Sequence, residues 1–209
     1  PVLEAIAGVE ILGRPEVNDT EKQQMLPKTM DTLTSCRSAL MLKESLDDDA
    51  KKQNAEVTFK PGAVITRTLE DVEEGHELWV ELWSKLAQCA VDLGNYREAQ
   101  LCANCASSVL PDNVREQKKL PKRIWRWHAI SECVWASAIE KLIDPERQER
   151  TLREDLRVTA LTHYNLAIRW AASAKDSKVS LSIAKQMWNC CVPFASSPLT
   201  RRLLQQPLQ

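Results

Sequence analysis

Seven cysteines and three histidines are the residues best able to do chemistry in this 209-residue chain, and their spacing decides which chemistry is open. Cys102 and Cys105 form a C-x-x-C pair. A structural zinc site needs a second such pair at workable spacing. Cys190 and Cys191 are adjacent, and adjacent residues point to different faces of a helix. They make a poor second pair. A thioredoxin-like role would need a strand ahead of the motif, whereas this one lies mid-helix after Tyr96. An odd cysteine count without even spacing also argues against a secreted disulfide framework. The expectation is thiols packed as small hydrophobes in a reducing, cytosolic setting, with no metal and no cofactor.

His76, His128 and His163 are scattered, and none shares an i, i+4 face with another histidine or with a hydrolase-like Cys/Glu set. The five glycines are isolated, so no glycine-rich loop is present to cradle a phosphate. The sequence therefore reads as a non-enzyme with no catalytic residues. Its sharpest local feature is Lys118-Lys119-Leu120-Pro121-Lys122-Arg123-Ile124-Trp125-Arg126-Trp127, basic and aromatic at the opening of a helix. Three readings stand side by side: a solvated loop entering a core helix, a docking patch for an acidic protein surface, and a calmodulin-type target or nucleic-acid contact. The net charge of −1, from 28 basic and 29 acidic side chains, supplies no long-range field for nucleic acid or an anionic membrane.

Those residues must be carried by helices. Few glycines and a near absence of alternating β-branched runs leave little room for strand. No run approaches the roughly 20 apolar residues that cross a bilayer, and no charged-then-apolar leader opens the chain. It begins at Pro1 rather than Met, so a piece of a longer protein is expected. Residues 1–46 read as a helical segment, with helices over about 2–12 and 28–46. Pro27 sits where the second would start, since proline has no N–H to give. Its apolar stripe is Met30, Leu33, Cys36, Leu40 and Met41. Residues 47–76 read as an irregular linker around Lys60-Pro61-Gly62.

From 77 to 209 the pattern becomes regular. Helices are expected over about 77–93, 96–110, 122–142, 152–174 and 178–195, with a last one from Pro198. Gly94-Asn95, Pro111-Asp112, Asp144-Pro145, Lys175-Asp176-Ser177 and Ser197-Pro198 punctuate them. Thr151 with Glu154 fits a capping box; alternatively Asp144 caps one long helix reaching Ala174. Residues 80–111 match the spacing of a tetratricopeptide repeat, two antiparallel helices in about 34 residues. Trp83, Leu86 and Ala87 take inward first-helix positions, Gly94 and Tyr96 the turn, Ala99 and Ala106 the close approach of the second helix, and Pro111 the end. Ala90 and Ala103 stand where aromatics are usual, so tighter packing or aromatics borrowed from Trp79 or Trp127 are expected. A looser second unit uses Trp127 and Ile130 with Ala160, Tyr164 and Ala167, and a third places Val179, Ile183, Met187 and Cys191 on one face. The fold class is all-α, tetratricopeptide-like hairpins stacked as part of a longer α-solenoid. In that register Glu81, Ser84, Lys85, Gln88 and Asp92 line the concave side; Glu81, Lys85, Gln88 and Asp92, with Lys118, Lys119, Lys122 and Arg123, are the candidate partner-binding residues.

The segment Trp188-Asn189, Val192-Pro193, then Thr200-Arg201-Arg202, together with Leu82–Leu110 and its Cys89, Cys102 and alanine-rich second helix, resembles the tetratricopeptide-containing cilia- and flagella-associated scaffolds of the central apparatus. The resemblance covers about 77–209 and implies Trp188 as a further packing residue. It implies a structural subunit in the cytoskeleton of the ciliary or flagellar axoneme, within a large hetero-complex on a central-pair projection. Other central-apparatus scaffold proteins are the implied partners, with calmodulin and the central-pair microtubule (tubulin) as further ones. No nucleic acid and no membrane are among them. The other reading is a cytosolic adaptor that captures peptides or helices. A carboxylate clamp would place basic residues on that face, where Glu81 and Asp92 stand beside Lys85.

Overall fold

The computed structural model describes residues 2–54, 69–109, 120–195 and 198–205, with side chains of 37–54, 69–75 and Leu199 left aside. The regular structure of the described residues is all helical, with no strand among them. They fall into two compact units, Pro1–Val72 and Glu73–Gln209.

In the first unit, α1 (Val2–Leu12) packs on α2 (Asp19–Asn54). Ala5, Val9 and Leu12 are buried on α1, and Leu26, Thr29, Leu33 and Cys36 on α2. The axes come close at Gly8, where an added Cβ would lie 2.8 Å from Thr29 Oγ1. The start of α2 differs from expectation. It begins at Asp19, because Asn18 Oδ1 accepts the Glu21 N–H at 2.8 Å and so caps the first turn. Pro27 lies inside the helix instead of opening it. The expected linker shrinks from both sides: α2 continues to Asn54, and α3 (Leu69–Asp92) begins before 77.

The second unit is built from α3, α4 (Tyr96–Ser107), α5 (Lys122–Lys141), α6 (Arg150–Ala174), α7 (Ser177–Ala195) and α8 (Pro198–Arg201), closed by a 3-10 turn, Arg202–Leu204. Helix α5 is the centre, touching α4, α6 and α7. It is buried on several sides at once, through Ile124, Trp125, Ala129, Cys133, Ala136 and Ile139. Against it pack Ala160, Leu161, Tyr164, Ala167 and Ala171 of α6 and Ile183, Met187, Cys190 and Phe194 of α7. Trp125 stacks on Trp170 at a centroid distance of 4.8 Å.

Two helix ends share one device. Asn95 N donates to Ala90 O and Gly94 N to Val91 O around Gly94 at φ 77°. Asp176 N donates to Ala171 O and Lys175 N to Ala172 O around Lys175 at φ 58°. Both are Schellman ends, which favour glycine at the left-handed residue. Nothing lies within 4 Å of a Cβ at Gly94, so substitution there meets only the backbone penalty. Gly94→Ala should therefore cost about 1 kcal/mol and Lys175→Gly should gain about 0.5–1 kcal/mol. Chemical denaturation of the two variants checks both signs.

The start of α6 follows neither of the two sequence alternatives. The helix begins at Arg150, one residue ahead of Thr151, and Asp144 serves a separate turn. There Asp144 Oδ1 accepts the Glu146 and Arg147 N–H groups, while Gln148 Oε1 accepts from Asp144 N and Gln148 Nε2 donates to Leu142 O.

Candidate protein-binding surface

On α3 and α4, Ala87, Ala90, Ala99, Ala103 and Ala106 are all fully buried, as are Trp83 and Leu86 on α3. Helix axes approach to about 8 Å only when small residues face each other. Ala106→Leu should thus overpack the seam and cost about 1–3 kcal/mol. An unchanged melting temperature would show that α4 turns another face inward. Pro111, expected to close this pair, lies outside the described residues, as do Lys118 and Lys119.

Serine hydroxyls stitch α5 to its neighbours. Ser84 Oγ lies 2.7 Å from Val80 O on its own helix and 3.2 Å from Trp127 O. Ser131 Oγ donates to Ala103 O at 3.1 Å. Ser84 is fully buried, which corrects its expected place on an open concave face.

The candidate polar residues do come together, but several are spent on one another. Arg123 reaches Glu77 at 2.8 Å through Nε and Glu81 at 3.0 Å through a terminal nitrogen. Lys85 Nζ pairs with Glu81 at 2.6 Å and stands 5.6 Å from the centre of the Trp127 ring. This cluster joins the start of α5 to α3. Gln88, Asp92 and Lys122 are exposed.

A second polar group was not legible beforehand. Glu132 is 3% exposed, yet both its oxygens are satisfied: Ser107 Oγ donates to Oε1 at 2.7 Å, and His163 Nδ1 lies 2.7 Å from Oε2. The His163 ring is stacked on Trp135 at 4.4 Å. A serine, a carboxylate and a histidine invite comparison with a nucleophilic triad. In a triad the imidazole stands between hydroxyl and carboxylate so that it can take the proton. Here the carboxylate stands in the middle, and the hydroxyl is buried. The group ties α4, α5 and α6 together and supplies no activated nucleophile.

Burial likewise quiets the thiols. Desolvation raises Cys102 far above its ordinary value, with Cys105, Glu98 and Cys89 adding to it. It pushes Cys133 up to about 12, and Cys190 and Cys191 also rise, through burial first and Glu140 second. Glu140 accepts the Tyr164 hydroxyl at 2.6 Å; burial and that bond together raise the phenol. Thiols held neutral are poor nucleophiles and poor metal ligands. Among the described residues, no group of three or more His, Cys, Asp or Glu is arranged to hold a metal ion. No described helix is long and apolar enough to cross a membrane.

Of the other packing residues, Ala160, Tyr164 and Ala167 are buried, while Tyr96 and Trp127 are half-buried. Trp188 is the correction: it is 71% exposed, because α7 turns Ile183, Met187 and Cys190 inward and Trp188 falls on the opposite side. The end of this helix has its own logic. Thr200 Oγ1 donates to Phe194 O and Arg201 Nε to Ala195 O, both at 2.9 Å, so these side chains satisfy carbonyls the helix leaves open.

No protein-family profile matches the chain. Over 140 residues, 62% of its length, the chain is 30% identical to cilia- and flagella-associated protein 46 of Chlamydomonas reinhardtii. It spans only 5% of that protein's length. The similarity makes the chain a distant, partial relative of a cilia- and flagella-associated protein.

Proposed function

We propose that this chain is a non-catalytic scaffold segment of the motile cilium or flagellum. Its tetratricopeptide-like helix pairs hold other proteins within a projection of the central apparatus. The similarity to a cilia- and flagella-associated protein is the observation that carries this reading. The architecture supports it, since successive helices pack around α5 and the polar and nucleophilic groups are consumed in joining them. Partners meet the chain at exposed positions: Gln88 and Asp92 on α3, and Lys122 at the opening of α5. The first two suit polar contact with another scaffold subunit, and the lysine suits an acidic surface such as a tubulin tail. Arg123 acts instead as the bolt between α5 and α3.

Tagging the endogenous protein in a multiciliated cell tests the proposal. An axonemal signal, resolved to the central pair by electron tomography, is expected. A diffuse cytosolic signal with none along the axoneme would overturn it.

A further inference from the structure

We propose that the groove between α6, α7 and the final 3-10 turn docks an acidic amphipathic helix of a partner protein. This deepens the scaffold reading by naming a site and the chemistry of its occupant. The groove is open, about 460 Å³ in volume, and bordered by Ile168, Ala184, Trp188, Val192, Arg201 and Leu204. Along α7, Leu181, Trp188 and Val192 continue the apolar stripe into solvent at 59%, 71% and 53% exposure. Exposed tryptophan beside a concave apolar surface is the arrangement that anchors interfaces. A trough between two helices accepts the ridge of a third, whose side chains recur every three to four residues.

Charge selects the occupant. The chain as a whole is balanced, yet from Ser177 to Gln209 its charged residues are Lys178, Lys185, Arg201 and Arg202, with no Asp or Glu. Lys185 and Arg202 are exposed, and Arg201 lines the groove itself. Glu140, which Cys191 senses, is engaged by the Tyr164 hydroxyl. A helix with an aliphatic stripe and glutamate flanks matches both features. A basic helix meets the like charge of Arg201 at the groove and a segment that carries no acid to offset it. A flat lipid surface uses the cations but leaves the recess unfilled.

Two synthetic helical peptides test this on the 209-residue chain. They share a leucine stripe at i, i+3, i+7 and i+10, one flanked by glutamate and the other by lysine. Saturable binding of the glutamate peptide, about tenfold tighter than the lysine peptide, is expected by fluorescence anisotropy. Trp188→Ala should weaken it at least about tenfold without moving the melting temperature. Lys185→Glu with Arg202→Glu, both at exposed positions, should reverse the preference between peptides. Equal affinities, or binding that survives Trp188→Ala, would overturn the proposal. So would dimerisation of the chain, or its capture by anionic vesicles, that Trp188→Ala abolishes. A photo-crosslink from position 188 to the same polypeptide in cells would overturn it too. Failure of the peptides with axonemal localisation intact removes the groove and leaves the scaffold; a diffuse signal removes the scaffold.

Discussion

Replacing Glu132 with alanine should destabilise the second unit by about 3–5 kcal/mol, the loss expected when one member of a buried polar set is deleted. The carboxylate is 3% exposed and serves Ser107 on α4 and His163 on α6 simultaneously. Its removal leaves a hydroxyl on α4 and an imidazole on α6 without their acceptor at once. Glu132→Gln retains one acceptor but turns an amide nitrogen toward the other donor, so a smaller loss of about 1–3 kcal/mol is expected. Ser107→Ala and His163→Phe should each cost less alone than Glu132→Ala. Combined with Glu132→Leu, they should recover much of the stability, because an apolar set of similar shape leaves nothing unsatisfied. Urea denaturation followed by circular dichroism measures the series. A Glu132→Ala curve that overlays the parent would show that the three helices are held by packing alone.

Trp83→Ala is the second large effect, with an expected loss of about 3–5 kcal/mol from the vanished apolar area and the cavity left behind. Trp83, on α3, is 1% exposed and is the largest of the fully buried side chains among the described residues. Its indole offers a useful control. Nε1 is buried with no hydrogen-bond partner among the described residues. Trp83→Phe therefore removes volume but also an unsatisfied donor, and the two terms oppose each other. It should lose about 1–2 kcal/mol, well short of the alanine variant. A phenylalanine variant as damaged as the alanine one would mean that the nitrogen is satisfied in solution.

Much of the regular half was legible because its helices end at residues that can end them. Gly94-Asn95 and Lys175-Asp176 mark true stops, and Ala99 and Ala106, read as small residues of the second helix, are buried. The misreadings came from residues with two plausible uses. Pro27 suits a first helical turn, yet Asn18 and Glu21 start the helix earlier and the proline is carried inside it. The family resemblance implies Trp188 as a packing residue, but its neighbours Met187 and Cys190 take the core side. Glu132 and His163 are too distant in sequence for any local pattern to pair them. Only the antiparallel packing of α5 and α6 brings them together. The docking groove did leave a trace, the absence of acidic residues after Asp176, visible only when charge is read by segment rather than summed over the chain.

Asp176 gives its two oxygens different tasks. Oδ1 accepts the Lys178 and Val179 N–H groups at the start of α7, and Oδ2 meets Arg126 of α5 at 3.1 Å. The corner at which the chain reverses is thereby fastened to a rod two elements earlier. Such a joint sets the angle at which α7 leaves α6 and stiffens that corner against twisting. Asparagine at this position would preserve the first task and release the second, loosening the corner without unwinding its helices.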